Sequence, residues 1–122
     1  MSKKILLVED DKFLRELIAK KLLASGYEII EATEGESAVA KAKEFKPDLV
    51  LLDLILPGID GFGILAKIKE DPTISKTPVI VLSNLSQQEE VEKALKLGAA
   101  DFLIKAHFVP GEIIEKIKKL LV

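Results

Sequence analysis

A doubly wound α/β fold, five parallel strands covered by five helices, is what this sequence predicts. Apolar runs alternate with amphipathic segments five times along 122 residues. The runs are almost continuously apolar, as expected of strands covered on both faces. A β/α barrel with the same alternation would need about twice the chain.

The first strand is expected over Lys4–Val8, and its helix runs from about Lys12 to Ser25. That helix places Phe13, Leu14, Leu17, Ile18 and Leu22 on one face, and Gly26 supplies its stop. The second strand, Tyr27–Ala32, leads to a helix from about Glu36 to Phe45, with Ala38, Val39 and Ala42 inward; Lys46-Pro47 closes it. The third, Asp48–Asp53, precedes a helix from about Gly61 to Glu70 that buries Phe62, Leu65 and Ile68, ended by Asp71-Pro72. After the fourth strand, Pro78–Ser83, Ser86 and Glu89 have capping-box spacing, and Gly98 ends the helix they open. The fifth strand is Asp101–Ile104. Its helix starts near Pro110, a good first-turn residue, and buries Ile113, Ile114, Ile117 and Leu121. Repeats, low-complexity stretches and internal linkers are absent from the sequence, so residues 1–122 read as one domain.

Composition narrows the function classes. Apolar content is 48%, which is that of a folded protein rather than a disordered tail. A net charge of -2 argues against nonspecific nucleic-acid binding, and Lys116, Lys118 and Lys119 read as a solvated helix face. With no cysteine, disulfides, thiolate metal sites and cysteine nucleophiles are excluded. Glu9-Asp10-Asp11 interrupts the N-terminal apolar stretch, so it is no signal peptide, and no run is long enough to span a bilayer. A cytoplasmic protein is expected. Scarce Asn, Gln and Met beside abundant Lys, Glu and Ile give a weak hint of heat adaptation.

The chemistry is concentrated at strand ends. In open parallel sheets, sites form outside the carboxyl ends of the strands, at the switch point. Glu9, Asp10, Asp53, Ser83 and Lys105 each fall at or just past such an end. Carboxylates gathered there repel one another unless a proton or cation intervenes, and a hard divalent ion with oxygen ligands, magnesium above all, suits them. Asp53 is the candidate nucleophile, able to attack phosphorus and form an acyl phosphate. Glu9 and Asp10 would hold magnesium, which spreads phosphoryl charge. Ser83 would donate its hydroxyl to one phosphoryl oxygen. Lys105 would pair with another, or with Asp53 when no phosphate is present. Asp11 reads as the cap of the first helix and Gly58 and Gly61 as backbone devices in the following turn. His107, the one histidine, reads as polar surface.

These residues resemble the receiver domain of two-component response regulators along essentially the whole chain. The resemblance rests on Ile5-Leu6-Leu7-Val8-Glu9-Asp10-Asp11, Pro47-Asp48-Leu49-Val50-Leu51-Leu52-Asp53 and Leu56-Pro57-Gly58-Ile59-Asp60-Gly61. It continues through Pro78-Val79-Ile80-Val81-Leu82-Ser83 and Gly98-Ala99-Ala100-Asp101-Phe102-Leu103-Ile104-Lys105. It implies a flavodoxin-like sheet in strand order 2-1-3-4-5, and phosphorylation of Asp53 by a histidine kinase or histidine phosphotransfer protein. It further implies magnesium bound by Asp10, Asp53 and the backbone carbonyl of Ile55, with Glu9 acting through water. Ser83 and Phe102 would form a switch that alters a protein-binding face, although Phe102 also reads as an ordinary edge-strand core residue. The downstream target is unknown, contact with nucleic acid or membrane is not expected, and the chain would be a monomer or a weak, phosphorylation-promoted dimer.

Departures from the family pattern are specific. Ala106 stands where the family usually has proline after the lysine, so a trans bond or a strained loop is expected. Asn84 replaces a small residue and would narrow access to the phosphoryl group. Ile55 and Leu85, at positions that influence hydrolysis in the family, cannot orient water, which implies a long-lived phosphoryl state. Three rivals remain. An aspartate-nucleophile phosphohydrolase would want an acid at Ile55. A flavin or nucleotide carrier would not place Glu9-Asp10-Asp11 in its phosphate loop. A phosphorylation-independent scaffold has no use for so costly a cluster. The fold class alone does not separate a stand-alone regulator, a relay intermediate and a fragment.

Overall fold

The computed structural model describes residues 2–54, 56, 60–84, 88–105 and 110–121. Strands β1 (Lys4–Val8), β2 (Glu28–Ala32), β3 (Leu49–Leu52), β4 (Val79–Ser83) and β5 (Asp101–Ile104) alternate with helices α1 (Lys12–Ala24), α2 (Gly35–Phe45), α3 (Gly61–Glu70), α4 (Gln88–Lys96) and α5 (Pro110–Leu120). All strand pairings are parallel, as the alternation predicts, and the sheet order is β2-β1-β3-β4-β5, as the resemblance implies.

Strand alternation divides the core into two layers. Leu6, Val8, Val50, Leu52, Val79 and Val81 face α2, α3 and α4, where Ala38, Ala42, Ile64, Leu65, Ile68 and Ala94 are buried. Ile5, Leu7, Leu49, Leu51, Ile80 and Leu82 face α1 and α5, meeting Ile18, Leu22, Ile113 and Ile117. Helices on both sides explain why β1, β3 and β4 read as continuous apolar runs. The edge strand β5 is only half-buried.

Local chemistry sets the boundaries. Asp11 caps α1, its side chain accepting from the Leu14 N–H, and Asp60 caps α3 through the Gly63 N–H. Gly26 has φ +92° and Gly98 φ +108°. At the first, Gly26 N–H and Tyr27 N–H bond back to Leu23 and Leu22; at the second, Gly98 and Ala99 bond to Leu95 and Ala94. Both are Schellman stops. Tyr27 therefore serves the α1 cap, and β2 begins one residue later than the sequence suggested.

The buried faces largely follow the expected stripes, with one correction. Phe13 was expected to point inward, but it is 79% exposed. It stands nine residues before the buried Leu22, about 180° around the helix, so it lies on the opposite face of α1, while the adjacent Leu14 packs against the core. The Ser86 cap falls outside the described residues.

Candidate functional site

The site lies beyond the carboxyl ends of β1 and β3, neighbouring strands in the sheet. The chain runs from β1 outward to β2, then returns to β3 on β1's other side, so these ends mark the switch point. Ladder hydrogen bonds continue one residue past each strand. The Glu9 N–H donates to the Ala32 carbonyl and the Asp53 N–H to the Val8 carbonyl, both at 3.0 Å. The backbones of two acids are thereby locked into the sheet.

Their carboxylates are taken almost wholly out of water: Glu9 is 1% exposed and Asp53 5%, whereas Asp10 is exposed. Oxygens from Glu9, Asp10 and Asp53 lie within 4.8 Å of one another. Lys105, at the end of β5, reaches across β4 to both buried acids. Its Nζ is 2.6 Å from Glu9 Oε1 and donates to Asp53 Oδ2 at 2.9 Å. The first approach is a close ion pair to a buried carboxylate oxygen. Glu9 Oε2 accepts the Asp11 N–H at 3.1 Å.

Three carboxylates against one ammonium leave an excess of negative charge. Burial pushes the Glu9 carboxyl up to about 7, opposed by the Lys105 ammonium and the Asp11 N–H and reinforced by the charge of Asp53. Burial pulls Lys105 down, but Glu9 and Asp53 outweigh it and hold the ammonium above its ordinary value. A hard cation would relieve this excess using oxygen donors already in place. The donor set of three carboxylates, the excess negative charge and the cleft above them fit magnesium. That cleft, about 330 Å³, is lined among the described residues by Glu9, Asp10, Asp11, Asp53, Asn84 and Lys105.

The structure brings together Glu9, Asp10, Asp53 and Lys105. Ser83 is fully buried at the last residue of β4, in register with Ile104, one position before the cleft-lining Asn84. Phe102 pairs with Val81 across β4–β5 and packs, half-buried, against the layer that contains Val81. The Ile55 carbonyl, Gly58, Leu85, Ala106 and His107 fall outside the described residues. Gly61 N–H donates to the Leu54 carbonyl at 2.8 Å, and a Cβ at Gly61 would stand 2.3 Å from Leu54 Cα. A bare glycine thus lets α3 close against the segment that carries Asp53.

Two features of the site escaped the sequence reading. Lys105 bridges Glu9 as well as Asp53. Arg15 binds the backbone beneath the acids, donating through Nη1 to the Glu9 carbonyl at 3.1 Å. Its signal was present: of the 18 Lys and Arg residues in the chain, Arg15 is the one arginine.

Comparisons with known proteins identify the class of signalling domain to which this parallel sheet, with its buried acid pair and bridging lysine at the switch point, belongs. The family model described as "Response regulator receiver domain" matches residues 5–118. The chain is 38% identical over 122 residues to the chemotaxis protein CheY of Thermotoga maritima, covering 98% of each. It is 40% identical over 105 residues to the response regulator PleD of Caulobacter vibrioides, covering 86% of this chain and 23% of that one. It thus spans nearly all of one relative and about a quarter of the other. A solved receiver domain of the Pseudomonas aeruginosa sensor histidine kinase PA1611, described with magnesium coordinated in its active-site cleft, superposes with a TM-score of 0.90. That pair is 28% identical, over 99% of this chain and 98% of the other. The chain belongs to the response regulator receiver domain family of two-component systems.

Proposed function

We propose that the domain is a phosphorylation-dependent switch, in which Asp53 accepts a phosphoryl group with Mg²⁺ and the change is read by a partner protein. The observation that carries this reading is the pair of buried carboxylates, Glu9 and Asp53, bridged by one ammonium at 2.6 and 2.9 Å. A purely structural cluster has little to gain from such uncompensated charge.

In the proposed reaction an Asp53 carboxylate oxygen attacks the phosphorus of a phosphohistidine on a kinase or phosphotransfer protein. An O–P bond forms, the donor's P–N bond breaks, and the electron pair leaves with the imidazole, which keeps its proton. Lys105 moves from pairing with the carboxylate to pairing with a phosphoryl oxygen, and the Ser83 hydroxyl donates to another. Glu9, Asp10, Asp53 and the Ile55 carbonyl would hold magnesium, which supplies positive charge against the phosphoryl oxygens. The domain catalyses only its own phosphorylation and dephosphorylation. Withdrawal of Ser83 and Lys105 from their resting partners biases the β5 side of the molecule, including Phe102, toward a second arrangement. A cytoplasmic location suits the phosphodonor.

Incubation with acetyl phosphate and Mg²⁺, followed by borohydride reduction and peptide mapping, tests the assignment. Conversion of residue 53 to homoserine is expected. Reduction at another acid, or at none, would contradict it.

A further inference from the structure

Arg15 is the one arginine beside seventeen lysines, and it lies near the N-terminal end of α1. A cation there sits at the unfavourable end of the helix dipole, so helix formation does not explain it. Its contacts do. Nη1 donates to the Glu9 carbonyl at 3.1 Å and reaches the Asp10 carbonyl at 3.4 Å, while Nε lies 4.0 Å from Glu31 Oε1. The guanidinium thus links two successive carbonyls of the β1–α1 turn to the far end of β2. A planar fork of donors can do this; a lysine ammonium is a single point.

We infer that Arg15 is a positioning residue for the cation site, holding the Glu9-Asp10 backbone so that both carboxylates face Asp53. The inference rests on the magnesium reading above. Glu9 has other restraints, through its N–H to Ala32 and its carboxylate to Asp11. Asp10 is exposed, and its carbonyl is held by Arg15, so its placement depends most on the guanidinium.

Charge and position act in opposite directions. A guanidinium near the cleft repels a cation, so its charge alone would make a neutral replacement bind magnesium more tightly. Loss of positioning would make every replacement bind more weakly, including lysine, which keeps the charge. Calorimetric Mg²⁺ titration of wild type, Arg15→Lys, Arg15→Gln and Glu31→Gln separates the two. Thermal unfolding of each checks folding, and amide exchange at Glu9, Asp10 and Asp11 reports turn order without metal.

Roughly tenfold weaker binding is expected for both Arg15 variants. A smaller loss is expected for Glu31→Gln, and faster exchange in the turn for all three. Tighter binding by Arg15→Gln, wild-type affinity in Arg15→Lys, or unchanged exchange across the set would overturn the inference while leaving the magnesium reading intact. A wild type that binds no magnesium would overturn both.

Discussion

At the scale of single residues, the site trades stability for charge. Glu9 titrates near 7 in the fold against an ordinary 4.5. The native state therefore binds this proton more tightly than the unfolded chain does. The resulting stabilisation is complete below about pH 4.5 and disappears as the pH rises through about 7. Glu9→Gln should raise stability by about 1 kcal/mol at pH 8 without divalent ions and change little at pH 4, measured by urea unfolding. Lys105→Met should act in the opposite sense. Removing the ammonium between two buried acids should cost about 2–4 kcal/mol at pH 8, less at pH 5, with Mg²⁺ restoring part of the loss. A loss that ignores both pH and Mg²⁺ would make Lys105 a packing residue instead. Glu9, Asp53 and Lys105 were legible in the sequence because each follows an apolar run that a parallel sheet must bury, and their place at the strand ends follows. The Lys105–Glu9 pair and the role of Arg15 were not, because they depend on which side-chain atoms meet across elements.

At the scale of elements, glycines set how closely helices approach the sheet. A Cβ on Gly61 would lie 2.3 Å from Leu54 Cα and 2.7 Å from the Asp53 carbonyl oxygen. Gly61→Ala should therefore push α3 away from β3 and cost about 3 kcal/mol, with slower phosphoryl uptake because the Asp53 backbone moves with it. Gly98 combines φ +108° with a Lys69 stem that would stand 3.1 Å from an added Cβ. That stem is itself anchored, because Lys69 Nζ donates to the Ser75 and Thr77 carbonyls. Gly98→Ala should lower stability by about 1–3 kcal/mol in the same unfolding assay, through backbone strain and crowding together. Periodicity located every helix to within a residue or two where the ends are described. It failed at Phe13, which stands about 180° around the helix from the buried Leu22 and so lies off the stripe that Leu14, Ile18 and Leu22 form.

For the whole molecule, the doubly wound order places β1 and β3 side by side, and the site follows from that adjacency. Acids separated by more than forty residues in sequence come within ion-ligand distance because each ends a neighbouring strand. In the proposed switch, the path from there to a partner would run through Lys105, just past β5, and Ser83, the last residue of β4, beside the half-buried Phe102. Under the proposed function, apolar residues at positions 55 and 85 predict slow loss of a phosphoryl group from Asp53. Ile55→Asn with Leu85→Glu should shorten its lifetime severalfold, followed by mass spectrometry after removal of the donor; an unchanged lifetime would show that hydrolysis is limited elsewhere. The most direct test of the central claim is the intact mass of wild type and Asp53→Asn after incubation with Mg²⁺ and a small phosphodonor, with and without EDTA. One phosphoryl group should appear on wild type alone and only without EDTA. Uptake by Asp53→Asn, uptake that resists EDTA, or none by a wild type shown to bind magnesium would contradict a phosphorylation switch at Asp53.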